Sequence, residues 1–243
     1  MQTLLLRFDA PLMSFGTTVV DNRNPTAQFP GLSMVTGLLG NALGFTHGES
    51  AALSRLQARI NYAVRCDSVG EAVHDFQTVD LGQDFLSSGG WTTRGRTEGR
   101  EGGGAKEGTH IRYRDYLADA CFTLALRLDE AKEIPTLTDV EGALLRPVRP
   151  LFFGRKPCLP ARPILLGSGD FESLIQALVQ APLARMASEK PDGWLAWWPP
   201  EEGEPARSRT LWVADSRDWA NQVHTGRRRI QEGWLSAEVT HAR

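Results

Sequence analysis

Features that would mark an enzyme or a membrane protein outright are scarce in this sequence. Only three cysteines occur in 243 residues, and Cys66, Cys121 and Cys158 are odd in number and widely spaced. They fit neither a disulfide framework nor a zinc site, and a reducing cytoplasmic setting is expected. His47, His74, His110, His224 and His241 are dispersed without a recurring ligand spacing, so no metal site and no metal-assisted hydrolysis are expected. No cofactor is called for either: Gly99 to Lys106 only grazes a phosphate-loop pattern, because Ala105 stands before the lysine and no Ser or Thr follows it. Long apolar runs are missing. The opening Met1-Gln2-Thr3-Leu4-Leu5-Leu6-Arg7 has no basic leader and is too short for a signal peptide, and no segment reaches membrane-spanning length. A large net charge is missing too, since 27 Lys and Arg against 29 Asp and Glu leave −2. That balance argues against a tail-driven polyanion binder and requires any nucleic-acid contact to come from focused patches.

One absence is local. Between Glu141 and Asp170 there is no acidic residue, while Arg146, Arg149, Arg155, Lys156 and Arg162 alternate with Pro147, Pro150, Pro157, Pro160 and Pro163. Proline fixes φ and removes backbone donors, so this stretch is expected to be a stiff extended loop and not a helix. At its centre Phe152, Phe153 and Gly154 offer rings for stacking and a backbone without a Cβ beside two cations. The functional reading is a nucleic-acid clamp. The competing reading is a proline-rich connection whose arginines are solvated and whose phenylalanines fill the core.

A hydrophobic content of 41% supports a genuine core. Thr3 to Phe8 reads as a buried strand, and Ser33 reads as the cap of a helix running to about Gly44. On that helix Gly37, Gly40 and Gly44 share one face, expected to allow a close approach to a sheet, ahead of the alternative of an RNA backbone. A short helix near Ala51 to Gln57 precedes a half-buried strand over Ile60 to Cys66, with Ala72 to Val79 as its expected hairpin partner. Cys121 to Leu128 is the clearest strand. Thr138 to Leu145 reads as a capped helix, and a strand at Ile164 to Leu166 leads into a helix from about Phe171 to Leu178. Strand, helix, strand, strand, helix, strand is the order of a ferredoxin-like (RRM-like) α+β domain. That domain is placed at residues 1–185, with a Gly/Arg-rich thumb inserted at about 83–112. A C-terminal β-rich extension over 186–243 carries Trp194, Trp197, Trp198, Trp212, Trp219 and Trp234.

Within the insertion Arg94, Arg96, Arg100 and Lys106, followed by His110, Arg112 and Arg114, outnumber Glu98, Glu101 and Glu107. This suits a flexible basic arm that orders on RNA, or simply a flexible loop. A metal-free ribonuclease needs a general base and a cation near a phosphate, for which His110 with Lys106 and Tyr113 is the credible group.

Several separated stretches resemble the CasD family, the subunit of the type I-E CRISPR surveillance complex (Cascade) that holds the 5′ handle of the guide RNA. They are Ala10-Pro11 to Gly16, Gly37-Leu38-Leu39-Gly40 to Gly44, Tyr62-Ala63-Val64-Arg65-Cys66-Asp67, Arg114-Asp115-Tyr116-Leu117 to Phe122, and Leu145-Arg146-Pro147 to Cys158. The resemblance spans roughly the first 170 residues. It implies an RRM-like module whose thumb wedges against the backbone subunit CasC and grips the crRNA. The large subunit CasA is implied as a second neighbour, and target DNA is met only through the complex. It further implies a structural, non-cutting role, with RNA cutting left to CasE, although relatives in other subtypes cut with Tyr, Lys and His. Under this reading Arg146, Arg149, Arg155 and Lys156 hold phosphates, His110, Arg112 and Arg114 steer bases, and Phe152, Phe153 or Tyr113 stack on them. Arg23, Arg94, Arg96 and Gly154 complete the expected RNA-binding set. The alternative is a metal-free endoribonuclease processing CRISPR repeat RNA through His110, Lys106 and Tyr113.

Overall fold

The computed structural model describes residues 1–17, 19, 22–80, 90–91, 97–98, 109–184, 193–203 and 207–236. The first half contains strands β1 (Gln2–Asp9), β2 (Leu12–Met13) and β3 (Arg23–Asn24), helices α1 (Leu32–Leu43) and α2 (Ser50–Arg59), and strands β4 (Ile60–Ser68), β5 (Glu71–Asp80), β6 (Gly90–Trp91), β7 (Thr97–Glu98), β8 (Thr109–Ala118) and β9 (Cys121–Leu128). Helix α3 (Leu137–Leu145), strand β10 (Leu165–Asp170), helix α4 (Leu174–Gln180) and strands β11 (Trp194–Trp198), β12 (Ser208–Val213), β13 (Ser216–Asp218), β14 (Val223–Thr225) and β15 (Arg228–Leu235) follow.

Seven strands form one antiparallel sheet in the order β10-β1-β9-β4-β11-β15-β12, giving a mixed α+β architecture. The apolar run of β9 sits near its centre because both its faces are covered. Phe122, Leu124 and Leu126 join Leu4, Leu6, Phe8, Val35, Leu39 and Val140 in the main core under α1 and α3. On the opposite face Ala63, Ala125 and Ala196 are small, which lets α4 lie against the sheet through Leu174 and Leu178. That second face also buries an ion pair. Arg65 Nε donates to Asp67 Oδ1 at 2.6 Å and Arg65 Nη1 to the Ala181 carbonyl at 3.0 Å, tying the end of α4 to β4.

A second sheet is organised around β8, with β5 along one edge and β2 and β3 along the other. The expected hairpin between residues 72–79 and 60–66 does not form. Strand β4 is buried on both faces and both its edges are taken, by β9 and β11, so none is left for β5. The chain leaves the main sheet at Gly70, whose φ of 67° suits glycine, and a Cβ there would lie 2.2 Å from the Ala118 carbonyl oxygen. Strand β5 then pairs with β8 in unbroken register from Glu71↔Ala118 to Asp80↔Thr109. Residues 81–108 thus connect the two arms of a long hairpin.

Helix α1 also departs from expectation at both its start and its small face. Gly31, not Ser33, is the N-cap residue, and the cap comes from far along the chain: Leu32 N donates to Asp215 Oδ2 at 2.8 Å and Ser33 N to the Asp215 carbonyl at 2.9 Å. The glycines do not face the sheet. Cβ atoms at Gly37, Gly40 and Gly44 would meet Trp219, Leu53 and Val148 respectively, so this face serves α2, the Trp219 ring and the basic loop. Helix α3 begins in a Thr136–Asp139 capping box, and Ser173 caps α4.

Strands β11, β15 and β12 continue the same sheet, while β13 and β14 pair as a separate hairpin. Trp197 and Ile230 enter the main core, and the Trp197 ring stacks on Phe29 with centroids 4.9 Å apart. No helix among the described residues is long and apolar enough to cross a membrane.

Candidate nucleic-acid interface

Alternation along β8 sorts its side chains onto two faces. Tyr113 lies opposite Phe76 of β5 and Arg23 of β3 in the strand registers. The Phe76 and Tyr113 rings are 5.5 Å apart, and the Arg23 guanidinium lies 5.6 Å from the Tyr113 centroid. Phe76 is 56% exposed, so this ridge offers water an aromatic face with a cation beside it. On the same face His74 Nδ1 and Asp115 Oδ1 are 2.8 Å apart. His110, Arg112 and Arg114 occupy the other face, where Arg112 Nε donates to His110 Nε2 at 2.8 Å. His110 and Tyr113, an odd number of residues apart on one strand, therefore point to opposite sides, and the expected catalytic group is not brought together there. Lys106, Arg94 and Arg96 lie outside the described residues.

The basic loop is irregular, as its prolines require, and it is anchored on this second sheet. Gly154 has φ 87°, and a Cβ on it would fall 1.7 Å from the Ser14 carbonyl oxygen, so only glycine fits. Ser14 N donates to the Phe153 carbonyl at 3.2 Å, and Ser14 Oγ to the Asp115 carbonyl at 3.0 Å. Arg155 knits β3 to β8: Nη2 donates to the Asn24 carbonyl at 2.7 Å, Nη1 donates to the Asp115 carbonyl at 3.2 Å, and the guanidinium lies 4.8 Å from the Tyr116 centroid.

Two of the residues expected to touch RNA are corrected. Phe153 is fully buried with its ring stacked 4.5 Å from Phe8, so it has no free face for a base. Arg149 Nη1 donates to the Phe45 carbonyl at 2.8 Å and Nη2 to the Gly44 carbonyl, which makes it the cation at the carboxyl end of α1. For Phe153 the competing structural reading holds, whereas Arg149 is neither solvated nor free for phosphate but held by carbonyls of the fold, as are the terminal nitrogens of Arg155. Arg162 pairs with Asp9 at 3.3 Å, while Arg146 and Lys156 are exposed and Phe152 is half-buried beside a cavity. Cys158 is buried within the loop, and burial raises its thiol above the usual range. Among the described residues no three His, Cys, Asp or Glu side chains gather as metal ligands.

Phe76 and His74 are not legible as site residues in the sequence, because β5 has no local motif and acquires its role from what it pairs with. The sequence signal that could find them is the period-two placement of aromatic and polar residues opposite Tyr113 and Asp115.

Residues 3–231 match the Cas5d profile, described as CRISPR-associated protein (Cas_Cas5). A curated relative, the CRISPR system Cascade subunit CasD of Escherichia coli (strain K12), is 32% identical over 167 residues, which cover 68% of this chain and 70% of the relative. Among solved structures, a chain of a CRISPR RNA-guided surveillance complex superposes with a TM-score of 0.71 at 23% identity, covering 96% of this chain and 90% of that one. A crystal structure of a Cas protein superposes with a TM-score of 0.63 at 27% identity, covering 97% and 96%.

Proposed function

This chain belongs to the CRISPR-associated Cas5 family, and from that premise we propose that it is a non-catalytic RNA-binding subunit of a type I-E Cascade complex. It holds the 5′ handle of the crRNA and caps one end of the backbone filament in antiviral defence, in the cytoplasm. The observation that carries this reading is the β5–β8 hairpin. It presents Arg23, Tyr113 and Phe76 on one face and His110, Arg112 and Arg114 on the other, with Lys156 in the adjoining loop. Cations paired with exposed rings are the combination that binds single-stranded RNA: phosphates at the positive heads, bases on the rings. The backbone subunit CasC meets the exposed edge of β5, where Val73 and Val79 lie in the open. CasA is the second neighbour, and target DNA is reached only through the assembled complex. Strands β1, β4, β9 and β10 with α1 and α3 form the ferredoxin-like (RRM-like) unit, in the strand order β10-β1-β9-β4, and 81–108 with the arms of the hairpin form the thumb.

The test is guide-RNA binding measured across a salt series for the wild type and for Arg112→Ala with Arg114→Ala. Each cation that neutralises a phosphate of single-stranded RNA contributes about 0.7 to the log–log salt slope, so the double variant should flatten it by about 1.4. A slope identical to that of the wild type would turn these arginines away from RNA and remove the basis of the reading.

A further inference from the structure

Rings and cations hold a nucleic-acid strand with little regard for its sugar, because DNA and RNA share phosphates and nearly the same bases. The Arg23–Tyr113–Phe76 ridge therefore accounts for binding but not for a choice of RNA. A contact to the ribose 2′-hydroxyl is what distinguishes the two, and as a donor that hydroxyl needs an acceptor at the surface.

Such an acceptor is built beside the ridge. His74 and Asp115 face each other in the β5–β8 register, two residues along from the Phe76↔Tyr113 pair, and alternation puts all four side chains on one face. The His74 Nδ1 and Asp115 Oδ1 atoms are 2.8 Å apart. A carboxylate only accepts, so in the neutral ring Nδ1 carries the hydrogen and Nε2 is left as an acceptor. The His74 side chain is 73% exposed, which leaves that acceptor within reach of a ligand. Asp115 is itself held from behind, because its carbonyl accepts from Ser14 Oγ at 3.0 Å and from Arg155 Nη1 at 3.2 Å. The carboxylate that orients the imidazole thus stands on a fixed stretch of strand.

Charge selects the ligand. A phosphate brought to His74 would face the Asp115 carboxylate, whereas a neutral hydroxyl meets acceptors and no repulsion. The phosphate has its own place at Arg23, 5.6 Å from the Tyr113 centroid. Two residues along a strand cover about 7 Å, so base at the rings, phosphate at the guanidinium and sugar at His74 fit within neighbouring nucleotides.

We propose that His74, oriented by Asp115, accepts a hydrogen bond from a ribose 2′-hydroxyl and so makes this face prefer RNA to DNA. The proposal rests on the RNA-binding function above and goes beyond it in naming the group that reads the sugar.

The experiment uses the full-length chain at about pH 8, above the usual imidazole range, and synthetic RNAs bearing the 5′ handle of the host repeat. Each RNA has one ribose replaced by 2′-deoxyribose or by its 2′-O-methyl form. In the wild type one position should stand out, with both replacements weakening binding about three- to tenfold, in line with the loss of one hydrogen bond. His74→Phe keeps a flat ring and removes the acceptor. It should weaken binding of intact RNA by a similar factor, abolish the penalty at that position alone and leave the salt slope unchanged. Asp115→Ala should shrink the same penalty although His74 remains, and the nitrogen chemical shifts of His74 should then lose the signature of a single tautomer. A wild type that binds no handle RNA would overturn the functional reading and the proposal with it. Tight binding with no position sensitive to its hydroxyl, or a sensitivity that survives His74→Phe, would overturn the proposal alone. A flatter salt slope in His74→Phe would make the residue a phosphate contact, and loss of association with neighbouring subunits at unchanged RNA affinity would give it to a protein partner; either result overturns the proposal as well.

Discussion

Asp215 caps the helix that begins at Leu32: its carboxylate accepts the Leu32 N–H at 2.8 Å across 183 residues of sequence. The same carboxylate holds the Arg228 guanidinium, whose Nη2 also donates to the Tyr62 hydroxyl at 2.7 Å, and Tyr62 in turn donates to the Pro30 carbonyl at 3.1 Å. One acidic group thus joins the start of α1, strand β4 and strand β15. Replacing it should remove a cap, worth about 1 kcal/mol, and strand a partly buried arginine, for a total loss of about 2–4 kcal/mol. Asp215→Ala is therefore expected to lower the melting temperature by several degrees more than Asp215→Asn, which keeps a cap acceptor. Equal melting curves for the two variants would show that the link contributes little.

Arg149 and Lys156 stand seven positions apart in one basic loop, yet they should respond oppositely. Arg149→Ala removes donors to the Gly44 and Phe45 carbonyls and should cost about 1–3 kcal/mol of stability while leaving the salt slope of RNA binding near the wild type. Lys156→Ala, exposed, should leave the melting temperature within a degree or two and flatten the slope by about 0.7. Paired thermal melts and binding series distinguish the two. The reverse pattern would reassign both residues.

Replacing residues 81–108 by a short turn should leave a folded protein that no longer assembles with the backbone subunit. Strands β5 and β8 already pair at Asp80↔Thr109, so a tight turn can close the hairpin there without disturbing the ten registered pairs. Circular dichroism reports the first outcome and co-purification the second. Unfolding would place the replaced segment within the structural core.

Purified protein incubated with repeat RNA in chelator should leave it intact. General acid–base assistance contributes about 10²–10⁴-fold, so cutting that relied on His110 would vanish in His110→Ala. The Nε2 atom of that imidazole accepts from Arg112, and Tyr113 points to the other side of the strand. Defined cleavage that His110→Ala abolishes would establish the endoribonuclease instead.

What can be read from the sequence is what is decided locally. Strand β9 shows itself through an unbroken apolar run, α3 through the segment Thr138 to Leu145 although its cap lies earlier at Thr136, and the irregular path of the basic loop through its prolines. What escapes depends on distant partners. The N-terminal cap of α1 comes from Asp215, a residue that nothing near Ser33 in the sequence points to. Arg65, charged and in a strand, suggests a solvent-facing side, but Asp67 and the Ala181 carbonyl allow it to be buried. Phe153 and Arg149 have the residue types that bind RNA, and only the positions of Phe8 and the end of α1 reveal that each has an internal partner. Lys156 and the Arg23–Tyr113 ridge keep the exposure that their residue types suggest.

The continuation of the main sheet past β4 carries a consequence for how the protein is made. The pairing of Ala196 with Arg65 and of Trp197 with Val64 can form only after about 130 further residues have left the ribosome, and the Asp215 carboxylate arrives later still. Until then one edge of β4 is open to unintended strand pairing and α1 lacks its cap. The nascent chain therefore cannot complete the walls of the cavity around Gly37 until Trp219 and β14 have emerged.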